Sequence, residues 1–273
     1  MPRLDVNQYG KAETRVVRLV RDTATHTIKD LNVSIALSGD LTEVHLRGDN
    51  SNVLPTDTQK NTVYAFARQG IGEIEDFGLR LAKHFVDGFE PIHRASVGLE
   101  EYTWDRVGGH SFSRGAGGEK RTAGVDYETG RATVNAGLAD LLLLNSTDSE
   151  FTGYIVDEYT TLPEATDRIL ATAVDATWTY AGTDIDFARA HATARSALIE
   201  GFADTYSLSL QQTLYAMGER VLDAVTEVTQ VSLSLPNKHH FLYNLEPFGL
   251  DNPGLVFNAA DRPYGLIEGT VKR

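Results

Sequence analysis

A few residues have types and spacings that suit chemistry. Thr56-Asp57-Thr58-Gln59 has the S/T-x-x-Q form of a helix capping box. A helix beginning there offers free backbone N–H groups and a positive dipole end, so it can hold an anion or a polar heterocycle. It serves equally as a plain N-cap worth about 1 kcal/mol. Asn237 and His239 stand two apart on an expected strand and so face the same way, with His240 on the other face. That pairing suits a general base with a polar neighbour, or an ordinary structural histidine. Arg168 follows the polar, turn-like stretch 157–164 and leads into a strand. Its planar fork suits a carboxylate or an enolate-like oxygen, or else a surface ion pair of little worth. Phe151 and Tyr154 can supply a stacking face or simply pack in the core. Lys11 is a solvated charge unless folding buries it beside a hydroxyl or a histidine, where it becomes a usable base.

Other chemistries are missing. The 273 residues contain no cysteine, which removes disulfides, thiolate metal sites and cysteine nucleophiles. The eight histidines are scattered, with no His-x-His and no H-E-x-x-H spacing. No phosphate-loop, G-x-S-x-G or G-x-G-x-x-G motif is present, and the glycines of 115–118 read as a polar loop. Twenty-five Lys and Arg against 38 Asp and Glu leave a charge of −13, which argues against nucleic acid as a partner. No apolar run approaches the ~18 residues of a membrane helix. The segment MPRLDVNQYGK lacks the apolar core of a signal peptide, and the C-terminal residues lack a peroxisomal address, so a cytoplasmic location is expected.

The elements that must position these residues follow from periodicity. Leu31, Val33, Ile35 and Leu37 alternate as on a strand. So do Leu170 to Trp178, Val231 to Leu235, and Phe241, Tyr243 and Leu245. Ile74, Phe77, Leu81, Phe85 and Phe89 make a helical stripe. Phe187, His191, Ala194, Leu198 and Phe202 make another, and Leu214, Met217, Val221 and Val225 a third. Helices are expected near 57–69, 72–89, 187–205 and 209–226, although Val63, Ala65 and Ala67 also allow a strand. Both halves then read ββααββ, an α+β pattern of antiparallel sheets. Ser209-Leu210-Gln211-Gln212 repeats the capping form in the second half.

At this point the motifs resemble a known family. Tyr9-Gly10-Lys11, the run Thr56 to Tyr64, His110-Ser111-Phe112-Ser113-Arg114, Phe151, and Asp157 to Leu162 are similar to urate oxidase (uricase) signatures. So are Asp167-Arg168-Ile169-Leu170, Gln211, Ser234 to His239 and Asp261 to Ile267. The resemblance spans nearly the whole chain in order. It implies two tandem T-fold (tunnelling-fold) domains, residues 1–136 and 137–273, each an antiparallel four-stranded sheet with two helices on one face. It implies oxidation of urate by O₂ to 5-hydroxyisourate and H₂O₂, with no metal and no organic cofactor, in homotetramers whose sites form between subunits. Carried over residue by residue, it gives Arg168 and Gln211 the two edges of the purine and makes Phe151 the stacking ring. Leu162 and Leu210 line that ring, and the backbone N–H groups of Leu210 and Asp57 add donors. Lys11, Thr56 and His239 resemble the proton relay, and Asn237 helps to hold O₂ or water. A zinc-dependent T-fold pterin or purine enzyme, or a non-catalytic purine-binding paralogue, is the alternative.

Overall fold

The computed structural model describes residues 3–114 and 118–273. The expected glycine loop therefore lies largely outside the described residues. The elements run β1 (Tyr9–Val20), β2 (Thr27–Gly39), α1 (Thr42–Arg47), α2 (Thr56–Gln69), α3 (Ile74–Asp87) and β3 (Ile92–Tyr102). A short pair follows, β4 (Asp105–Arg106) and β5 (Phe112–Ser113), then β6 (Lys120–Glu128) and β7 (Arg131–Asn145). The rest is β8 (Leu170–Tyr180), α4 (Phe187–Ala203), α5 (Leu210–Ala224), β9 (Val228–Pro236), β10 (His239–Leu242), β11 (Phe257–Ala260) and β12 (Leu266–Lys272). Sheet neighbours in the first half are β1-β2-β3-β6 and in the second β7-β8-β9-β12. The chain divides into two compact units. One holds the residues up to Leu138 with Thr177–His191; the other holds Ala139–Ala176 with Ala192–Arg273.

In the first unit, β1, β2, β3 and β6 pair antiparallel in sequence. Leu31, Val33, Ile35 and Leu37 lie on one face and are buried, as their alternation predicts. Opposite them on β3 stand Leu99, Val97 and Ala95, also buried. The α3 stripe of Ile74, Phe77, Leu81 and Phe85 is fully buried, and Gly78 faces the side chains of Leu99 and Val125. Burying each large side chain is worth about 1.5–3 kcal/mol, so the stripe outweighs the side-chain cap that α3 lacks. Phe89 falls beyond the end of α3. In α2, Val63 and Ala67 are buried while Ala65 is exposed, a four-residue period that settles helix over strand. Thr129 and Gly130, both at positive φ, turn β6 into β7 as a two-residue hairpin of the I′ kind.

In the second unit, the stripe of Leu214, Met217, Val221 and Val225 is buried, as are Ala194, Leu198 and Phe202 of α4. The two helices approach closely: a Cβ on Gly201 would lie 2.9 Å from the Met217 Cα. Ser209 caps α5 by accepting from the Gln212 N–H, while the Gln212 carboxamide accepts from the Leu208 N–H at 2.8 Å. The second capping form is thus half made: the Ser209 cap bond forms, while the return bond of Gln212 reaches the residue before the cap.

Three expectations need correction. The Thr56 box does not form: Pro55 is the N-cap, Thr56 is the first helical residue, and the buried Gln59 side chain turns to the Leu54 carbonyl instead. The alternation of Phe241 and Tyr243 does not face a core. Both side chains are about half exposed, on a segment whose strand pairs with β11 in a separate two-stranded sheet. The strand expected to carry both Asn237 and His239 breaks between them. The helix α1 was not anticipated; it buries no residue, so it leaves no apolar stripe to read.

Candidate active site

Lys11, Thr56 and Asp57 belong to the first unit. Lys11 lies on β1 opposite Ile35, beside a bulge that runs to Thr14 and holds Glu13 at φ 56°. The Glu13 N–H donates to the Ser34 hydroxyl at 3.0 Å, which pins the bulge. Gly10 precedes Lys11, and a Cβ there would lie 1.8 Å from the Ile35 carbonyl oxygen. Only glycine allows that approach. Tyr9 ties β1 to the start of α2. Its hydroxyl donates to the Leu54 carbonyl at 3.0 Å and accepts from the Leu54 N–H at 2.9 Å. Burial raises the Tyr9 pKa, so the phenol stays protonated and keeps its donor role.

The first hydrogen bond of α2 runs from the Gln59 N–H to the Pro55 carbonyl. The N–H groups of Thr56, Asp57 and Thr58 precede it, so no carbonyl of the α2 ladder takes them. The Asp57 carboxylate turns back to Lys60 and to Asn61. Its pKa is lowered chiefly by the Lys60 hydrogen bond and charge, and Lys11 adds to the same pull. Lys11 and the first turn of α2 therefore share one electrostatic neighbourhood.

The remaining candidates belong to the second unit. Arg168 stands two residues before β8 and is half-buried. Its N–H donates to the Ser149 carbonyl at 2.9 Å and its Nε donates to the Ser149 hydroxyl at 3.3 Å. Its guanidinium carbon lies 5.3 Å from the Phe151 ring centroid. Burial lowers its pKa. Among the described residues it makes no ion pair with a carboxylate, so the surface-salt-bridge reading does not hold. A charged fork held by neutral oxygens can accept an anionic or enolate-like oxygen. Tyr154 stacks on Phe151 at 4.9 Å, and its hydroxyl donates to the Leu162 carbonyl at 2.5 Å. The pair thus links Leu162, itself exposed, to the aromatic face.

His239 opens β10 opposite Ala260, with its ring 5.5 Å from that of Phe241. Its pKa is lowered by burial first, then by the Arg168 charge, then by His240. That downward shift favours the neutral imidazole, which can take a proton. Asn237 is fixed separately, by an isolated bridge to Thr172 and by its N–H donating to Gly265 at 2.8 Å. Two neighbouring anchors replace the single strand that the spacing predicts. Leu210 and Gln211 open α5; Leu210 is buried and Gln211 is exposed. Their N–H groups precede the first bond of α5, Thr213 N–H to Ser209 carbonyl at 3.2 Å.

In the first unit the Lys11 charge is felt at Asp57, and in the second the Arg168 guanidinium lies over Phe151 and its charge is felt at His239. His191, by contrast, is a core residue: its Nε2 donates to the Gly137 carbonyl at 3.2 Å and its ring packs on Trp178. Sequence reasoning gave no role to Tyr9, Ser149, Ser207 or Thr213, and read Gln59 only as the closing residue of the Thr56 capping box. Tyr9 lay within a quoted motif, but small polar residues inside apolar surroundings leave no periodic signal.

The uricase family model matches residues 7–133 and again 134–268. The chain is 51% identical to the uricase of Arthrobacter globiformis over 99% of its own length and 90% of that protein's. It is 36% identical to the uricase of Dictyostelium discoideum over 98% and 96% of the two chains. The crystal structure of the Arthrobacter globiformis uricase superposes with a TM-score of 0.97, at 50% identity, over 100% of this chain and 96% of that one. The urate oxidase of Bacillus sp. TB-90 gives 0.82 at 25% identity over 98% and 100%. The chain therefore belongs to the uricase family of T-fold oxidoreductases.

Proposed function

We propose that this protein oxidises urate with O₂ and water to 5-hydroxyisourate and H₂O₂, without a metal or organic cofactor. Family membership carries the general activity. The observation that carries the finer reading is Arg168: half-buried, unpaired with carboxylate among the described residues, set over Phe151, and with its charge felt at His239. In this reading Arg168 takes one pyrimidine-edge oxygen of the urate anion. Gln211 matches the other edge with both its N–H and its C=O. Phe151 stacks beneath the purine, Leu162 and Leu210 line it, and the N–H groups of Leu210 and Asp57 add donors.

Lys11, Thr56 and His239 form the proton relay. Lys11 polarises the Thr56 hydroxyl, and neutral His239 takes up the proton that leaves urate. The resulting dianion is electron-rich. Two of its electrons reduce O₂ to H₂O₂, and water adds its hydroxyl to the oxidised ring, which balances urate, O₂ and H₂O against 5-hydroxyisourate and H₂O₂. Asn237 holds O₂ or water above the ring.

We also assign the complete site to the meeting of subunits in a homotetramer, with Thr56 reaching the purine from the neighbouring chain. Support comes from large apolar side chains left in solvent, such as Ile155 at 95%, Tyr159 at 81% and Leu255 at 76% exposure. Two tandem T-fold domains meeting near 136–137 complete the reading.

The test follows urate's near-ultraviolet absorbance in air with chelator-dialysed protein, and H₂O₂ alongside. Urate loss with matching peroxide is the expected result. Activity that returns only with zinc would replace the proposal with a metal-dependent T-fold enzyme, for which the described residues offer no group of three or more metal-capable side chains. A folded protein that binds a xanthine analogue without turning over urate would be a binding paralogue.

A further inference from the structure

Ser149, Ser207 and Thr213 are each fully buried and polar, and the chemistry above uses none of them. They lie in one hydrogen-bonded chain. The Thr213 hydroxyl donates to that of Ser207 at 2.8 Å, and the Ser207 hydroxyl donates to the Ser209 carbonyl at 3.1 Å. Ser209 is the N-cap of α5, so this end of the chain holds the helix start that carries Gln211. At the other end, Ser149 and Ser207 form a parallel bridge. The Glu150 N–H donates to the Ser207 carbonyl at 2.8 Å, and the Ser207 N–H to the Asp148 carbonyl at 2.9 Å. Ser149 then receives Arg168 through both its carbonyl, at 2.9 Å, and its hydroxyl, at 3.3 Å.

We infer that Ser149, Ser207 and Thr213 are positioning residues that set the separation between the Arg168 guanidinium and the Gln211 carboxamide. They thereby gauge the width of planar heterocycle the site accepts. The physical argument is one of satisfiability. A buried hydroxyl left without a partner is unfavourable, and the Thr213 hydroxyl has only buried acceptors in reach, the Ser207 hydroxyl at 2.8 Å and the Ser209 carbonyl at 3.3 Å, so both of its options tie it to the start of α5. Ordinary loops slide, but this one cannot move Arg168 relative to the α5 start without breaking a buried bond. Holding Arg168 by neutral oxygens has a second effect. The hydroxyl of Ser149 orients the fork yet leaves its charge unspent for the ligand, which a carboxylate in the same place would not do.

The inference rests on the urate-binding reading above, and the test separates the two. Thr213→Val removes one hydroxyl at nearly constant volume; Thr213→Ser keeps it. Dissociation constants for a xanthine analogue, KM and kcat for urate, and thermal melting are measured for both and for wild type. A geometric misplacement of this kind is expected to weaken analogue binding and raise KM by about tenfold, with kcat at saturating urate changed far less, and Thr213→Ser should restore both. A lower melting temperature with unchanged binding would overturn the inference, as would equal defects in the two variants. Ser149→Ala provides the decision if Thr213→Val does not fold: unchanged analogue binding there would also overturn it. If wild type binds the analogue but does not oxidise urate, the proposed activity fails while the binding comparison still judges the gauge.

Discussion

The Tyr9 phenol and the Leu54 peptide clasp each other twice: the hydroxyl donates to the Leu54 carbonyl at 3.0 Å and accepts from its N–H at 2.9 Å. This clasp joins the strand that carries Lys11 to the turn that carries Thr56 and Asp57. The Leu54 carbonyl also receives the Gln59 amide at 3.3 Å, from a side chain with no solvent exposure. Tyr9→Phe should therefore lower urate turnover by about tenfold, the worth of roughly one to two buried hydrogen bonds. The measurement is kcat at saturating urate beside the melting temperature. A melting shift with unchanged kcat would mean that the clasp serves the fold alone.

Lys11→Met should cut turnover strongly and leave affinity for a xanthine analogue nearly unchanged. The reason is that Lys11 is assigned to proton movement and not to holding the ring. Equal losses in rate and affinity, read from initial rates and a titration, would move Lys11 out of the relay and into the binding surface.

His239 predicts a pH dependence of definite sign. Its pKa is held below the ordinary imidazole value of about 6.5 by burial, by Arg168 and by His240. As pH falls through that ordinary value, the unfolded chain takes up this proton before the native chain does. Native stability should decline there, while the imidazole in the site remains neutral to lower pH. The acid limb of kcat should thus lie below the ordinary histidine value, and His240→Asn should move it upward. A limb that stays in place in that variant would remove His240 from the electrostatics of the site.

The first unit contains a buried ion cluster whose two sides should respond unequally. Arg121 donates to Glu73 at 2.5 Å and to Glu75 at 2.7 Å, and the Glu75 side chain is fully buried. Burial pushes the Glu75 pKa up against the pull of Arg121. Glu75→Gln removes a charge whose burial is already costly, so it should change stability by about 1 kcal/mol or less. Arg121→Met leaves two carboxylates without their cation and should cost about 3–5 kcal/mol. Chemical denaturation of the two variants checks the order; a larger loss for Glu75→Gln would contradict it.

Much of this protein was legible in the chain itself. The alternation of Leu31 to Leu37 and the helical stripes of Ile74 to Phe85 and Leu214 to Val225 named their elements and buried faces. Burial of apolar surface dominates their stability, and its period is written directly in residue order. The motifs around Lys11, Thr56, Arg168 and His239 likewise pointed to the family before any fold was known. Tertiary structure decided what depends on residues distant in sequence. It made Pro55 rather than Thr56 the cap of α2, because Gln59 finds a buried acceptor in Leu54. It split Asn237 from His239, because Thr172 and Ala260 offer each a different partner. It also joined Arg168 to the start of α5 through Ser149, Ser207 and Thr213. Those hydroxyls are as small and polar as any in a loop, and only their burial together gives each a hydrogen bond it cannot exchange for water.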